Sequence, residues 1–293
     1  MNYEGFLNAI RELNENSYFY GNEILYKLAE ESDLHDERHL AGMMWLIGRS
    51  YAASPQRRSY AKKWPVRQDN DGRDQFFSYI SHALELPVLL DKHEGLSYCD
   101  LNEDMKLLTA SVNMVLQFNL ALSAAIEQFD GVSGNIHCTN HISFCSKFLH
   151  FYHQHAVFII DTYAQNGAAW LFGGYHQKKR TYICVTDADN MDDRQNTYCF
   201  DKSVYEPFSR KKVTELTNLM GQELADLLKQ YQGRKPENAK AYMEHCVRAY
   251  LLGCELKRSD IIPSAQLAGE AFRSMPRLID TVFLNIKRGD KGF

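Results

Sequence analysis

The sequence predicts a mainly α-helical protein, folded as a single domain over residues 1–293, with two helical lobes inside it as the alternative. Three observations carry this reading. Apolar side chains recur at helical spacing along most of the chain. Seven prolines and 17 glycines in 293 residues are few for a protein built from many short strands. Several helical patterns stop at or begin beside a proline, where the residue before the ring is driven out of helix.

Taken in order, Phe6, Ile10 and Leu13 follow a helical repeat, and Ile24, Leu25 and Leu28 suggest a second short helix. "RHLAGMMWLIGRSYAA" reads as a buried helix that ends before Ser54-Pro55. "DQFFSYISHALEL" is another, stopped at Pro87. The longest pattern covers residues 100–129. Asp100 with Glu103 resembles a capping box, and Met105, Leu108, Val112, Val115, Leu122 and Ile126 form one stripe. This is the expected central helix. Gly131 and Gly134 break the chain. A helix from about Ile142 to Tyr152 follows, with Phe144, Phe148 and Phe151 as its core stripe, and another starts after Asp161. "TYICVTDADNMDDRQNTYCF" holds two β-prone runs around an acidic turn and suggests a small hairpin near 181–200, or a loop. Helical patterns return in "VTELTNLMGQELADLLKQY", after Pro236, and in short stretches after Pro263 and Pro276.

Composition narrows the class. Apolar residues make up 45% of the chain, enough for a sizeable core, and the net charge of −4 announces no nucleic-acid partner, so any such partner needs a local basic patch. The seven cysteines are odd in number and form no CxxC, which argues against a disulfide framework and for a reducing cytoplasm. "MNYEGFLNAIRELNE" is amphipathic, not a signal peptide, and no apolar run is expected to cross a membrane. GxSxG, Walker, GxGxxG and HExxH motifs are missing, so no cofactor is expected.

Two stretches suggest a site. In "SKFLHFYHQHAVFIIDTYA", Ser146 to Ala164, Lys147 stands in an apolar helical pattern and Asp161 follows the run Val157 to Ile160. Asp161 suits an N-cap, and a carboxylate capping a helix that opens on a cleft can stabilise a developing cation. Lys147 and His150 are candidates to position that carboxylate or to contact phosphate. The segment 46–68 carries Arg49, Arg57, Arg58, Lys62, Lys63 and Arg67 with no acidic residue, interleaved with Tyr51, Tyr60 and Trp64. Cations that neutralise phosphates beside rings that stack on bases suit a nucleic acid. A solvated basic loop is the plain alternative. His137, Cys138, His141, Cys145, His150, His153 and His155 crowd into 19 residues. No known zinc spacing fits them, so structural histidines are preferred, no metal is expected, and a metal-dependent enzyme is the weakest alternative.

"SKFLHF" followed by "FIIDTYA", together with "WLIGRSYAASPQRRSY", resembles the helix-hairpin-helix DNA glycosylase superfamily. The resemblance is closest to bacterial 8-oxoguanine-DNA-glycosylase-like proteins of antiphage cyclic-oligonucleotide signalling (CBASS-type) operons, and covers segments 45–60 and 143–164. It implies a glycosylase-like core at about 100–175, action on a nucleobase N-glycosidic bond in DNA or a nucleotide, Asp161 as the catalytic carboxylate, and a defence-operon protein as a further partner. Members that form an imine with the sugar carry a lysine at the place of His141 or Ile142, and Lys147 lies about a turn and a half later. "GNIHCTNH" stands where the family has a glycine-rich hairpin. Hydrolysis without an imine is therefore expected. The competing class is a non-catalytic nucleic-acid or protein interaction module on the same fold.

Overall fold

A computed structural model describes residues 7–11, 20–31, 36–51, 79–84, 104–129, 141–172, 180–186, 195–200, 210–231, 236–259 and 274–289. Besides short helical pieces near 7–11 and 79–83, the elements are α1 (Tyr20–Glu30), α2 (Glu37–Ser50), α3 (Asp104–Phe129), α4 (Ile142–Tyr152), α5 (Thr162–Leu171), β1 (Arg180–Thr186), β2 (Gln195–Phe200), α6 (Arg210–Glu223), α7 (Ala225–Gln230), α8 (Pro236–Arg258), α9 (Met275–Asn285) and β3 (Ile286–Gly289). The protein is mainly α-helical, as its sequence predicts.

Local chemistry sets several boundaries. Asp36 caps α2, accepting from the amides of Arg38 at 2.9 Å and His39 at 3.4 Å. Pro236 opens α8, where its missing N–H costs nothing. Ser274 caps α9, with Pro276 in the first turn. The predicted helix 142–152 is found with those bounds. The pattern after Val213 divides into α6 and α7 at Leu224, a break that its even spacing hid.

Helix α3 is the central element, packed against α4, α7 and α8. Residues Met105–Gln128 are, by length and composition, long and apolar enough to cross a bilayer, which corrects the expectation that no such segment exists. Inside this fold 61% of that window is buried, and its polar members serve the protein interior. Asn119 takes the amide of His141 at 3.0 Å and donates to the Tyr231 hydroxyl at 3.0 Å, so α3 holds the start of α4. Asp100 and Glu103, the expected capping box, lie outside the described residues.

The hairpin expected near 181–200 is present: β1 pairs antiparallel with β2, Thr181 opposite Phe200. A third strand, β3, pairs antiparallel with the other edge of β1, giving the order β2-β1-β3. It follows α9 directly. Helices α5 and α9 pack closely because Gly167 has no side chain: a methyl there would run into the carbonyl of Phe283.

Candidate functional site

The connection between α4 and α5 is buried over residues Ala156–Ile160 and lies outside helix and sheet. Buried backbone outside helix and sheet needs partners for its polar groups, and side chains supply them. Ser111 Oγ donates to the carbonyl of Ala156 at 2.8 Å, His150 Nδ1 to Val157 at 2.8 Å, Tyr242 Oη to Phe158 at 3.1 Å and His245 Nε2 to Ile159 at 2.8 Å. The amide of Ile160 donates to Ser146 Oγ at 3.2 Å. The polar residues threaded through this apolar sequence thus brace the strap that delivers Asp161.

Asp161 caps α5, its Oδ1 accepting from the amide of Ala164 at 2.8 Å. Its Oδ2 lies 3.7 Å from Nζ of Lys147. The Lys147 side chain is only 4% exposed and that of Asp161 25% exposed. At this separation the two form an ion pair that is longer than an ordinary direct hydrogen bond. The ring of Tyr51, the C-cap of α2, covers Nζ at 5.1 Å from its centroid. Burial pushes Lys147 below the usual lysine range, against the upward pull of Asp161 and then Asp280.

Helix α9, which packs on α5, carries a second buried charge pair. Arg277 Nη1 donates to Asp280 Oδ2 at 2.6 Å, and the carboxyl is 3% exposed. Asp280 Oδ1 is buried with no hydrogen-bond partner among the described residues. Burial pushes Asp280 up to about 6, opposed by Arg277, while Asp161 adds to the rise and Lys147 reduces it. Burial works against the charge of Arg277, but Asp280, Tyr51, Tyr26 and Asp161 outweigh it, and the net direction is upward. Burial pushes the Tyr51 hydroxyl up to about 12.

His150 is fully buried. With Nδ1 donating to Val157, its Nε2 accepts from the Tyr26 hydroxyl at 2.6 Å. Burial drives it down to about 3, so the ring is neutral. Of the two roles expected for His150, positioning is the one this location allows, because both ring nitrogens are engaged and neither reaches a ligand.

The structure therefore brings Lys147, Asp161 and Tyr51 together. It places exposed Arg49 elsewhere on α2, its guanidinium 5.9 Å from the ring of exposed Trp45. Arg57, Arg58, Tyr60, Lys62, Lys63, Trp64 and Arg67 lie outside the described residues, as do His137 and Cys138. Among the described residues no group of three His, Cys, Asp or Glu side chains could hold a metal ion. Cys145 is buried and its thiol is pushed up by burial, the reverse of what a thiolate ligand needs. Sequence reasoning missed Tyr26, Arg277 and Asp280. The available signal was the same as for Lys147: "PRLID" sets two charges three residues apart in an apolar helical pattern. No protein-family model matches the chain, and neither a curated protein nor a solved structure does.

Proposed function

We propose that the protein cleaves the N-glycosidic bond of a nucleobase in DNA or a nucleotide, with Asp161 and Lys147 as its reacting groups. The observation that carries this reading is the shielded Lys147–Asp161 pair, 3.7 Å apart, with the carboxylate at a helix start and the amine under the Tyr51 ring. As the base leaves, positive charge grows on the sugar ring. A partly exposed carboxylate held by the α5 amide stabilises that charge and is already oriented when it forms. An amine kept from water and moved below its usual range gives up its proton more readily than a solvated lysine, and once neutral it can attack the anomeric carbon. Spacing along the chain argued against an imine; the proximity of Lys147 to Asp161 supports one. In this reading Lys147 is the nucleophile, and Asp161 supports both bond cleavage and attack. A base in a duplex has to leave the stack to reach the pair, at a cost of a few kcal/mol.

The resemblance to 8-oxoguanine-glycosylase-like proteins of antiphage operons points to an oxidised or modified purine as the first substrate to try and to defence as the setting. The test is incubation of the full chain with oligonucleotides carrying single modified bases, with and without borohydride. The expected result is an abasic product and a reduced adduct mapped to Lys147. Product without an adduct assigns hydrolysis. Binding without product favours the interaction-module reading, which the basic segment 46–68 would serve equally well.

A further inference from the structure

One peptide unit of the strap is held at both of its ends by side chains of two different helices. The carbonyl of Ile159 accepts from Nε2 of His245 on α8 at 2.8 Å. The amide of Ile160, the other half of the same peptide, donates to Oγ of Ser146 on α4 at 3.2 Å. A peptide unit is planar and stiff, so fixing its two polar ends fixes its orientation. Ser146 stands beside Lys147 in the chain, and one residue separates this peptide from Asp161. Beyond Asp161 the chain is held again: its carbonyl accepts from the amide of Gln165 at 2.9 Å and its Oδ1 from that of Ala164 at 2.8 Å. Ser146 is fully buried, and its hydroxyl proton goes to the carbonyl of Ser143 at 3.1 Å, which leaves its oxygen to accept from the strap. His245 is buried too, and its Nδ1 has no partner among the described residues. A bare buried nitrogen is costly, and an apolar side chain would fill the space without it. What histidine adds here is the donor to Ile159.

We propose that Ser146 and His245 are positioning residues of this site: by pinning the Ile159–Ile160 peptide between α4 and α8, they set the separation of Lys147 and Asp161. Lys147 is carried by the helix to which the strap is tied, and Asp161 is carried by the strap itself. The Ser146 bond joins the two carriers at the residue before each charged group. The His245 bond holds the same peptide from α8, so the strap cannot turn about the serine. Loss of either bond leaves a buried peptide group unmet, and a peptide that rotates to find a new partner carries Asp161 with it. One anomeric carbon has to meet the amine and the carboxylate together, and a misplacement of about 1 Å costs on the order of a hundredfold in rate. Neither Ser146 nor His245 touches substrate. The use made of the spacing rests on the N-glycosyl reading; the spacing itself does not.

The experiment measures how strongly Asp161 acts on Lys147 when the peptide is released. Full-length chain labelled with 15N at lysine Nζ is titrated by NMR, with Lys147 assigned from Lys147→Arg. Asp280 and Arg277 from α9 also act on this amine, and Tyr51 from α2 covers it. The share of Asp161 is therefore read as the displacement of the Lys147 transition that Asp161→Asn produces. That displacement is expected towards lower pH, because an anion that favours the ammonium is lost. In Ser146→Ala, and in His245→Phe, which keeps a ring against Phe283, it is expected to shrink by about half or more, since the attraction falls with the inverse of distance. His245→Gln restores a donor and is expected to return most of it. A serine and a histidine that serve the fold alone would lower the melting temperature and leave the displacement at its wild-type size. That result in both arms overturns the proposal. If His245→Phe fails to fold, the Ser146→Ala arm decides alone. A reduced displacement with no abasic product from the wild type counts against the N-glycosyl reading only, and product with an unreduced displacement counts against Ser146 and His245 only.

Discussion

At the residue scale, Asp161 carries two duties that one substitution separates. Asparagine caps a helix nearly as well as aspartate, so Asp161→Asn is expected to change stability by at most about 1 kcal/mol. It removes the charge facing Lys147, and the rate of base release is expected to fall on the order of a hundredfold. Melting curves and single-turnover rates measured on the same preparation check this; full activity in the mutant would leave Asp161 a cap and nothing more. Lys147→Met makes a contrasting case. It replaces a buried cation by an apolar chain of similar length, and the carboxylate left behind is 25% exposed and can be solvated. The melting temperature is therefore expected to hold or rise while borohydride trapping is lost. A clear drop in melting temperature would mean that the ion pair is there for the fold. Residues such as Lys147 were legible in the sequence because a charge in an apolar stripe breaks a local pattern. Their partners were not: Arg277 lies 130 positions from Lys147 in the chain, and nothing local to "PRLID" says which helix it will meet.

At the element scale, α5 brings Asp161 and α9 brings Asp280, so the contact between these helices sets the spacing of the two carboxylates. Gly167→Ala presses a methyl group into the Phe283 carbonyl, and backbone cannot move aside without moving a helix. A loss of about 1–3 kcal/mol in stability is expected, with a larger fractional loss of activity. Gly253→Ala on α8 is the control. The atoms it meets are the Met275 sulfur at 2.6 Å and the Ile279 and Met275 side-chain ends at 3.1 Å, which can shift. Urea unfolding and base-release rates of both variants are expected to rank Gly167→Ala as the more damaging; the opposite order would show that the α5–α9 approach does not set the site. The same scale explains what was legible in the fold. Helix α4 and the buried strap after it were readable because an apolar helical stripe passes into an unbroken apolar run. Strand β3 was not, because Ile286 follows α9 without a turn residue and its strand character depends on β1, more than a hundred residues earlier. The break at Leu224 was hidden for a like reason: helical spacing continues through it, and no side-chain cap marks the start of α7.

At the scale of the whole molecule, three buried groups give stability a direction in pH. His150 is held down to about 3 and His245 to about 4, both from an ordinary value of 6.5 and both by burial. The unfolded chain binds their protons first, so their contribution is complete above pH 6.5 and drains away as pH falls towards those values. It amounts to about 5 and about 3 kcal/mol respectively. Asp280 runs the other way. Held up at about 6 from 3.8, it costs stability above pH 6 and gives back about 3 kcal/mol as pH falls between those values. The histidines outweigh it, and steep acid unfolding is expected below pH 6.5, with a shallower slope in His150→Gln. A melting temperature flat from pH 7 to 4 would contradict this. The charge balance of the whole chain also makes the basic segment testable. Against a net charge of −4, salt-dependent binding of an oligonucleotide has to come from a local patch. Arg57→Ala with Arg58→Ala is expected to flatten the slope of log affinity against log salt by about one per lost phosphate contact. An unchanged slope removes segment 46–68 from the interface. Finally, the groups of the site come from Tyr26 and Tyr51 near one end of the sequence, Lys147 and Asp161 in its middle, and Arg277 and Asp280 near the other. At roughly 5–20 residues per second on the ribosome, Asp161 is made many seconds before Asp280. A nascent chain thus carries the Lys147–Asp161 pair for that interval without the buried Arg277–Asp280 pair, and a chain cut short before residue 277 never acquires it.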